Sequence, residues 1–331
     1  MGKILITGGA GFIGCHLAEY LAGKGHVIEL IDNLSRGKKD SMLKSLCEHD
    51  SVRFIEGSLL DTRCIEGMDT GYDYIYHLAA IIGVSNVLES PSAVLHDNVQ
   101  LLFNALKLAY RQKHLKRFIF ASTSEVYAGA SEQSWFTVPT PEHVPLVITH
   151  LKHPRTSYML SKIYGEALCH QTGIPFSIIR PHNIYGPRMG MAHVIPELLQ
   201  RAYNAKNGSE LGVYSIDHSR TFCYISDAVK MINFCAEIPE CEGEVFNIGR
   251  QQDEIKIADL ATLIIEIVGK KLTIKPLPST PGSPFRRCPD MTKTIRFTGF
   301  KAIIPLREGI EDTYRWYKNE LFDTQCGGAC S

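Results

Sequence analysis

The sequence predicts an α/β fold, a doubly wound parallel sheet followed by a smaller mixed α/β region, and three observations support this. From Lys3 to about Arg180, short β-rich runs alternate with longer amphipathic stretches. The first run leads into a glycine-rich turn and then a helical segment. After Arg180 the alternation loosens. Alternating strand and helix signals mean parallel strands joined by crossover helices, with helices on both faces of the sheet. The 331 residues, 44% of them hydrophobic, exceed the usual single-domain size and suffice for a large buried core.

In chain order the strand signals are KILIT, VIELID, VRFIE, YDYIYHL, RFIFAS and FSIIR. PHNIYGPR then reads as a loop, followed by helices near Pro196 to Ala205 and Asp227 to Ala236 and the strand-like EVFNI. Two further helices, near Ile257 to Val268 and Arg307 to Glu320, flank KPLPSTPGSPFRRCPD, whose prolines argue against regular structure across it. The closing DTQCGGACS is small and polar, as a frayed tail would be.

The 35 basic and 35 acidic residues cancel, and no block of like charge advertises a nucleic-acid or membrane surface. The expected partner is a small molecule. Ten cysteines are scattered without a C-x-x-C pair or metal-like spacing, which fits a reducing cytoplasm. No apolar run is long enough to span a membrane, and Met1 leads into the first strand without a basic leader. His77, His150, His153, His182 and His193 have no ligand spacing, so no metal is expected.

The first strand passes directly into Thr7-Gly8-Gly9-Ala10-Gly11-Phe12-Ile13-Gly14 and a helix, the context that gives a glycine fingerprint its meaning. Gly8 can take the tight turn, Gly11 lets backbone amides approach a pyrophosphate, and Gly14 lets the helix pack on the strand. Asp32, ending the second strand, can bind adenosine ribose hydroxyls, and Arg36 four residues later could attract a 2′-phosphate. The nearer carboxylate favours NAD. Tyr158 and Lys162 are four apart on a predicted helix, so both face one way and the ammonium can lower the phenol's pKa. A tyrosine so activated is a base for proton removal coupled to hydride transfer.

These segments resemble the extended short-chain dehydrogenase/reductase family, in particular its nucleotide-sugar epimerases, dehydratases and decarboxylases. The resemblance runs from Lys3 to about Trp316. It rests on TGGAGFIG, Asp32-Asn33-Leu34-Ser35, HLAA from His77 to Ala80, Asn98, STSEVY, YMLSK, RPHNIYGPR, SRTFCYISD and NIG. It implies a Rossmann-like NAD unit over residues 1–180, with 221–250 returning to it, a nucleotide-sugar unit mainly over 181–320, and a tail over 321–331. It implies NAD contacts from Gly8, Gly11, Phe12, Ile13, Gly14, Asp32, Asn33, Ser35, Arg36, Ser58, Leu59, Leu78, Ala79, Ala80 and Asn98, with Tyr158 and Lys162 at the nicotinamide end.

By the same resemblance Tyr158 is the base, Lys162 binds the nicotinamide ribose, Thr123 holds the reacting hydroxyl, and the first step is oxidation at C4. Thr123-Ser124-Glu125 carries a carboxylate that plain 4-epimerases usually lack. Glu125 therefore points to a second step such as decarboxylation of a uronate or 4,6-dehydration, with 4-epimerisation as the alternative. Asn183, Arg188, Arg220 and Arg287 are the expected substrate contacts, and a homodimer through helices near Pro91 to Arg111 and Ser157 to Gln171 is implied. Two departures stand out: Ser58 where an adenine-contacting Asp is common, and Ala128 in place of the usual Gly. The segment between Thr123 and Tyr158, with Trp135, Pro139, Pro141, Pro145 and Pro154, is longer than typical and could reshape the substrate mouth.

Overall fold

The structure is a computed structural model that describes residues 1–132, 137–148, 150–280 and 282–326, so Trp135 and the last residues of the tail lie outside it. Seven strands form one sheet: β1 (Lys3–Thr7), β2 (Val27–Asp32), β3 (Val52–Glu56), β4 (Tyr74–His77), β5 (Arg117–Ala121), β6 (Phe176–Pro181) and β7 (Val245–Ile248). Their spatial order is β7-β6-β5-β4-β1-β2-β3, and every pairing is parallel. The chain winds outward from β1 through β2 and β3, then resumes on the other side of β1 at β4. That reversal opens a crevice at the carboxyl ends of β1 and β4, where open sheets of this kind bind ligands.

Alternation along the strands explains why both faces need helices. Ile4 and Ile6 point into one core with Leu17 and Leu21 of α1 (Phe12–Gly23), and Leu5 points into the opposite core with Leu101 and Leu102 of α2 (Pro91–Tyr110). Helix α3 (Arg155–Gln171) lies beside α2 and presents Cys169 to that second core. Past β6 come α4 (Val194–Asn204) and α5 (Ile225–Glu237). Helix α5 returns to the first core, burying Val229, Met231 and Ile232, and leads into β7 at the sheet edge.

A third core joins Ile195, Leu198 and Leu199 of α4 to Leu260 and Ile264 of α6 (Ile257–Val268) and Ile310 of α7 (Leu306–Tyr317). It is closed by a two-stranded parallel pair, Glu210–Tyr214 with Thr273–Leu277. The second of these strands contains Pro276, inside the stretch whose prolines argued against regular structure. In a two-stranded pair each strand is an edge, where a missing N–H is tolerated. Helix also continues beyond the expected end, through Phe322, which is buried in this core, to Cys326.

The long segment after Thr123 lies mostly against the edge of the sheet. Thr140 exchanges backbone hydrogen bonds with Cys288 and Asp290, and the Glu142 carboxylate accepts the Asn247 amide of β7 at 2.8 Å. Its described part thus covers an exposed strand edge, which would otherwise offer unpaired amides.

Candidate active site

The glycine turn closes as its spacing requires. Gly8 has φ +72°, and a Cβ on it would sit 2.8 Å from the Ala79 amide nitrogen; a Cβ on Gly14 would meet the Gly8 carbonyl at 2.3 Å. Gly11 caps α1 without a side-chain bond, so the first amides, at Phe12 and Ile13, remain available to an anion. Leu78 and Ala79 are fixed over the turn by amide bonds to the Thr7 carbonyl and hydroxyl, both 3.2 Å, with Ala80 following. Asn98, buried on α2, holds the next loop through both polar atoms, accepting from the Ile81 amide at 2.7 Å and donating to the Ile81 carbonyl at 3.0 Å.

At the end of β2, Asp32 accepts the Ala10 amide at 3.1 Å and the Leu34 amide at 2.8 Å; burial raises its pKa while these bonds oppose the rise. Asn33 ties back the Ser35 amide at 3.1 Å. Arg36 reaches across to the turn at Gly190, 3.4 Å from where a Cβ there would lie, and Tyr158 falls within its field. Ser58 accepts the Leu60 amide at 3.1 Å, and Leu59 is buried, its carbonyl taking the Asn104 amide group at 2.6 Å. Free helix N-terminal amides, a carboxylate at the ribose position and glycines that no side chain could replace fit a dinucleotide.

Thr123, Ser124 and Glu125 follow β5 directly, while Tyr158 and Lys162 come from the first turns of α3, so consecutive strand ends and one helix face meet at one point. The Thr123 hydroxyl accepts the Glu125 amide at 3.2 Å and lies close enough to the Tyr158 phenol to oppose the rise of its pKa. Ser124 is buried in the same turn. Lys162 donates to the Ala121 carbonyl at 2.7 Å, and burial brings its pKa down to about 8. Its ammonium lies 5.8 Å from the Tyr158 ring centroid.

The Lys162 ammonium is not placed to lower the phenol's pKa as the spacing suggests. Burial raises the Tyr158 pKa above its ordinary value, and the cation that opposes this is Arg36. The Lys162 ammonium is held at a strand carbonyl instead of at the phenol oxygen.

Glu125 pairs with Arg287 at 2.8 Å, and that guanidinium, outweighing burial, holds the carboxyl below its ordinary pKa. Arg155 and Arg220 act in the same direction. Arg220 is buried and directly partners Arg287 across a short ladder, and burial and this neighbour lower its pKa to about 10. Its guanidinium donates to the Ser219, Pro284 and Phe285 carbonyls and the Ser283 hydroxyl, pinning the proline-rich loop over the site. Among the described residues no carboxylate lies within ion-pair distance of Arg220. Asn183, at φ +43°, donates to the Thr221 carbonyl at 2.9 Å, beside the same ladder.

Arg188 departs from its expected place among the substrate contacts. Its guanidinium reaches Asp40 at 2.5 Å and the Lys38, Ala10 and Gly11 carbonyls at 2.8, 2.9 and 3.0 Å, so it lies against the glycine turn. The resemblance of its segment implies a substrate contact, but the left-handed Arg188, φ +72°, lays its side chain on the glycine turn. Arg155 was missed by the sequence reasoning. It stands three residues before Tyr158, one helical turn away, and that spacing was the available signal.

Beneath the site runs a second polar cluster. Arg180 pairs with Glu166 at 2.5 Å and also donates to the Tyr127 hydroxyl at 2.7 Å and the Glu142 carbonyl at 2.9 Å. Ser122 donates to Glu166, and Tyr127 and His182 both reach the side-chain oxygen Oδ1 of Asn247, at 2.9 and 3.0 Å. Burial lowers the His182 pKa to about 3, so the ring is neutral.

A doubly wound sheet with a dinucleotide crevice and a Thr-Tyr-Lys constellation at its mouth defines a nicotinamide-dependent enzyme. The particular family is settled by comparison: the profile of the NAD dependent epimerase/dehydratase family matches residues 4–249, and the chain belongs to that family. It is 33% identical to a UDP-N-acetyl-alpha-D-glucosaminuronate decarboxylase of Bacillus cytotoxicus over 96% of this chain and 98% of that protein. It is 32% identical to UDP-glucuronic acid decarboxylase 1 of Xenopus tropicalis over 96% of this chain and 73% of the other. A solved UDP-glucuronic acid 4-epimerase from Bacillus cereus, bound to UDP-glucuronic acid and NAD, superposes with a TM-score of 0.81 at 27% identity, over 96% of this chain and 99% of that one.

Proposed function

We propose that this chain decarboxylates a hexuronate carried on a nucleoside diphosphate, within NAD-dependent nucleotide-sugar chemistry. The observation that carries the reading is an imbalance of charge. Arg287 pairs with Glu125 at 2.8 Å, and Arg155 and Arg220 lie near enough to lower the pKa of the same carboxyl, beside Thr123 and Tyr158. The surplus positive charge is matched by a substrate with two anionic parts, a diphosphate and a sugar carboxylate. The likeness to two uronate decarboxylases supports this.

The Gly8–Gly14 turn and Asp32 would hold NAD, which would supply a hydride acceptor for oxidation at C4. Tyr158, beside Thr123, would take the proton of the C4 hydroxyl as its phenolate, a form that burial disfavours and that the positive nicotinamide ring would favour, and Lys162 lies on the same helix face. The resulting 4-ketone stands in β-relation to the C6 carboxylate, so the C5–C6 bond can break, releasing carbon dioxide and leaving its electrons in an enolate. Proton delivery to C5 completes that step. Glu125, kept ionised by Arg287, serves as a base or a water-orienting group and not as a neutral-pH acid. The cations around it hold the substrate carboxylate.

The test is mass spectrometry of reactions with UDP-, GDP-, dTDP- and CDP-linked hexuronates and hexoses. Loss of carbon dioxide from a uronate, abolished in Tyr158→Phe while calorimetric nucleotide binding persists, is expected. Loss of water, or an inverted centre at unchanged mass, would overturn the decarboxylase reading, and full activity of Tyr158→Phe would remove the assigned base.

The seven-stranded sheet with its helices is read as the cofactor unit and residues 181–320 as mainly the nucleotide-sugar unit. The eight described cysteines are all free thiols, which supports a reducing cytoplasm. Phe103 of α2 and Tyr164 of α3 are 38% and 41% exposed and pack at 6.2 Å between ring centroids, which supports a homodimer through these helices. A monomeric mass at micromolar concentration would contradict it.

A further inference from the structure

The turn Tyr185–Met189 is anchored on every side. The Tyr185 hydroxyl donates to the Leu306 carbonyl at 3.2 Å, and the Tyr317 hydroxyl donates to the Met189 carbonyl. Both bonds come from α7 or its N-terminal end, in the third core. On the other side His16 of α1 meets the Pro187 carbonyl at 3.0 Å. Arg188 then crosses to the glycine turn.

The result at Ala10 is specific. Its N–H is held by Asp32 at 3.1 Å and its carbonyl by Arg188 at 2.9 Å, while the Gly11 carbonyl takes a second Arg188 bond at 3.0 Å. With both carbonyls turned to Arg188, the turn cannot rotate them into the crevice, where they would repel a diphosphate. Asp40 fixes the guanidinium from behind and also caps the short helix Ser41–Cys47 by accepting the Leu43 amide at 3.1 Å. Arg188 is a non-glycine residue in the left-handed region, a strained conformation that the surrounding bonds must offset.

We infer that Arg188 is a positioning residue for the cofactor: it sets the glycine-turn carbonyls for the dinucleotide diphosphate, and through it the dinucleotide and nucleotide-sugar sites are energetically coupled. The coupling follows from the connection. The turn that carries Arg188 begins two residues after Asn183 and ends five residues before α4. A nucleotide-sugar seated beside Asn183 bears on that same anchored turn, and the turn in its bonded arrangement holds the glycine loop. Linkage then requires each ligand to tighten the other equally.

This inference rests on the proposed nucleotide-sugar reading only for its second ligand, and the experiment separates the two. NAD affinity and the NAD content of purified protein are measured by calorimetry and by release on denaturation, for wild type, Arg188→Lys and Arg188→Met, alone and with each of UDP, GDP, dTDP and CDP. The wild type is expected to bind NAD at least about fivefold more tightly with one nucleoside diphosphate present. Arg188→Met should weaken NAD by about tenfold or more and bring that ratio to about one, with Arg188→Lys between, since an ammonium lacks the fork that reaches several acceptors at once.

Unchanged NAD affinity in a folded Arg188→Met overturns the positioning role. Weaker binding of both ligands with the wild-type ratio preserved would leave Arg188 a structural brace and overturn the coupling. If no nucleoside diphosphate binds the wild type, the proposed function fails and the coupling with it, while the NAD measurements still judge the positioning role.

Discussion

Two Glu–Arg pairs lie close together in this molecule and differ in almost every respect. Glu166–Arg180 is buried, its side chains 6% and 4% exposed, and every partner it needs is present: Ser122, Tyr127 and the Glu142 carbonyl. Glu125–Arg287 is half open, at 36% and 24%, and the neighbouring Arg220 has no carboxylate within ion-pair distance among the described residues. The first pair is closed chemistry, able to hold β5, β6 and α3 together but unable to accept a ligand. The second is unfinished and therefore able to bind one. Burial and ion pairing alone do not mark a functional site; an unbalanced charge facing an opening does.

The sharpest way to break the contrast is to remove one member of the closed pair. Arg180→Met leaves the Glu166 carboxylate buried without its partner, and the expected loss is about 3–5 kcal/mol of folding stability. Chemical denaturation followed by circular dichroism would measure it. A loss below about 1 kcal/mol would mean that water reaches Glu166 and that the pair is not closed at all.

The corresponding change at the open pair should move activity instead. Arg287→Met is expected to reduce kcat/KM about 100-fold, close to 2.7 kcal/mol of transition-state stabilisation. Its folding stability should stay within about 1 kcal/mol of wild type, as for a solvent-accessible pair. Steady-state kinetics on the uronate that loses carbon dioxide, run beside the same denaturation experiment, would show the split. Equal losses in both variants, in both measurements, would erase the distinction between the pairs.

The two regions were also unequally legible in the sequence. The glycine turn, Asp32 and the Tyr158/Lys162 spacing are local patterns, because phosphate binding at a helix end and residues on one helix face are set by neighbours along the chain. Glu125 could be found in the same way, standing two residues after Thr123. Its pairing with Arg287 could not, since Arg287 arrives through a short strand laid beside Ser219–Arg220, a tertiary event without a local signature. Arg188 shows the converse: the resemblance of its segment implies substrate contact, while one left-handed residue sends the side chain to the glycine turn. The strand containing Pro276 was missed because proline is read as a breaker without knowing that its strand lies at an edge.

The smallest expected effect is the one that most directly reads the electrostatics of the open pair. Arg287 holds the Glu125 carboxyl below its ordinary pKa, so the folded chain gives up that proton more readily than the unfolded chain does. The stability this contributes is fully present above the unfolded carboxyl value of about 4.3, and it is lost as the pH falls through the lower folded value. Because the pair is partly exposed, its size should be under about 1 kcal/mol and should shrink further with added salt. Unfolding free energies of wild type and Glu125→Gln, compared across acid pH, should therefore differ by a constant amount near neutrality and converge below pH about 4. A difference that grew on acidification would mean that burial outweighs Arg287 and raises the carboxyl. Glu125 would then be a candidate acid, and its part as a base or water-orienting group would fall, with Tyr158 still the base.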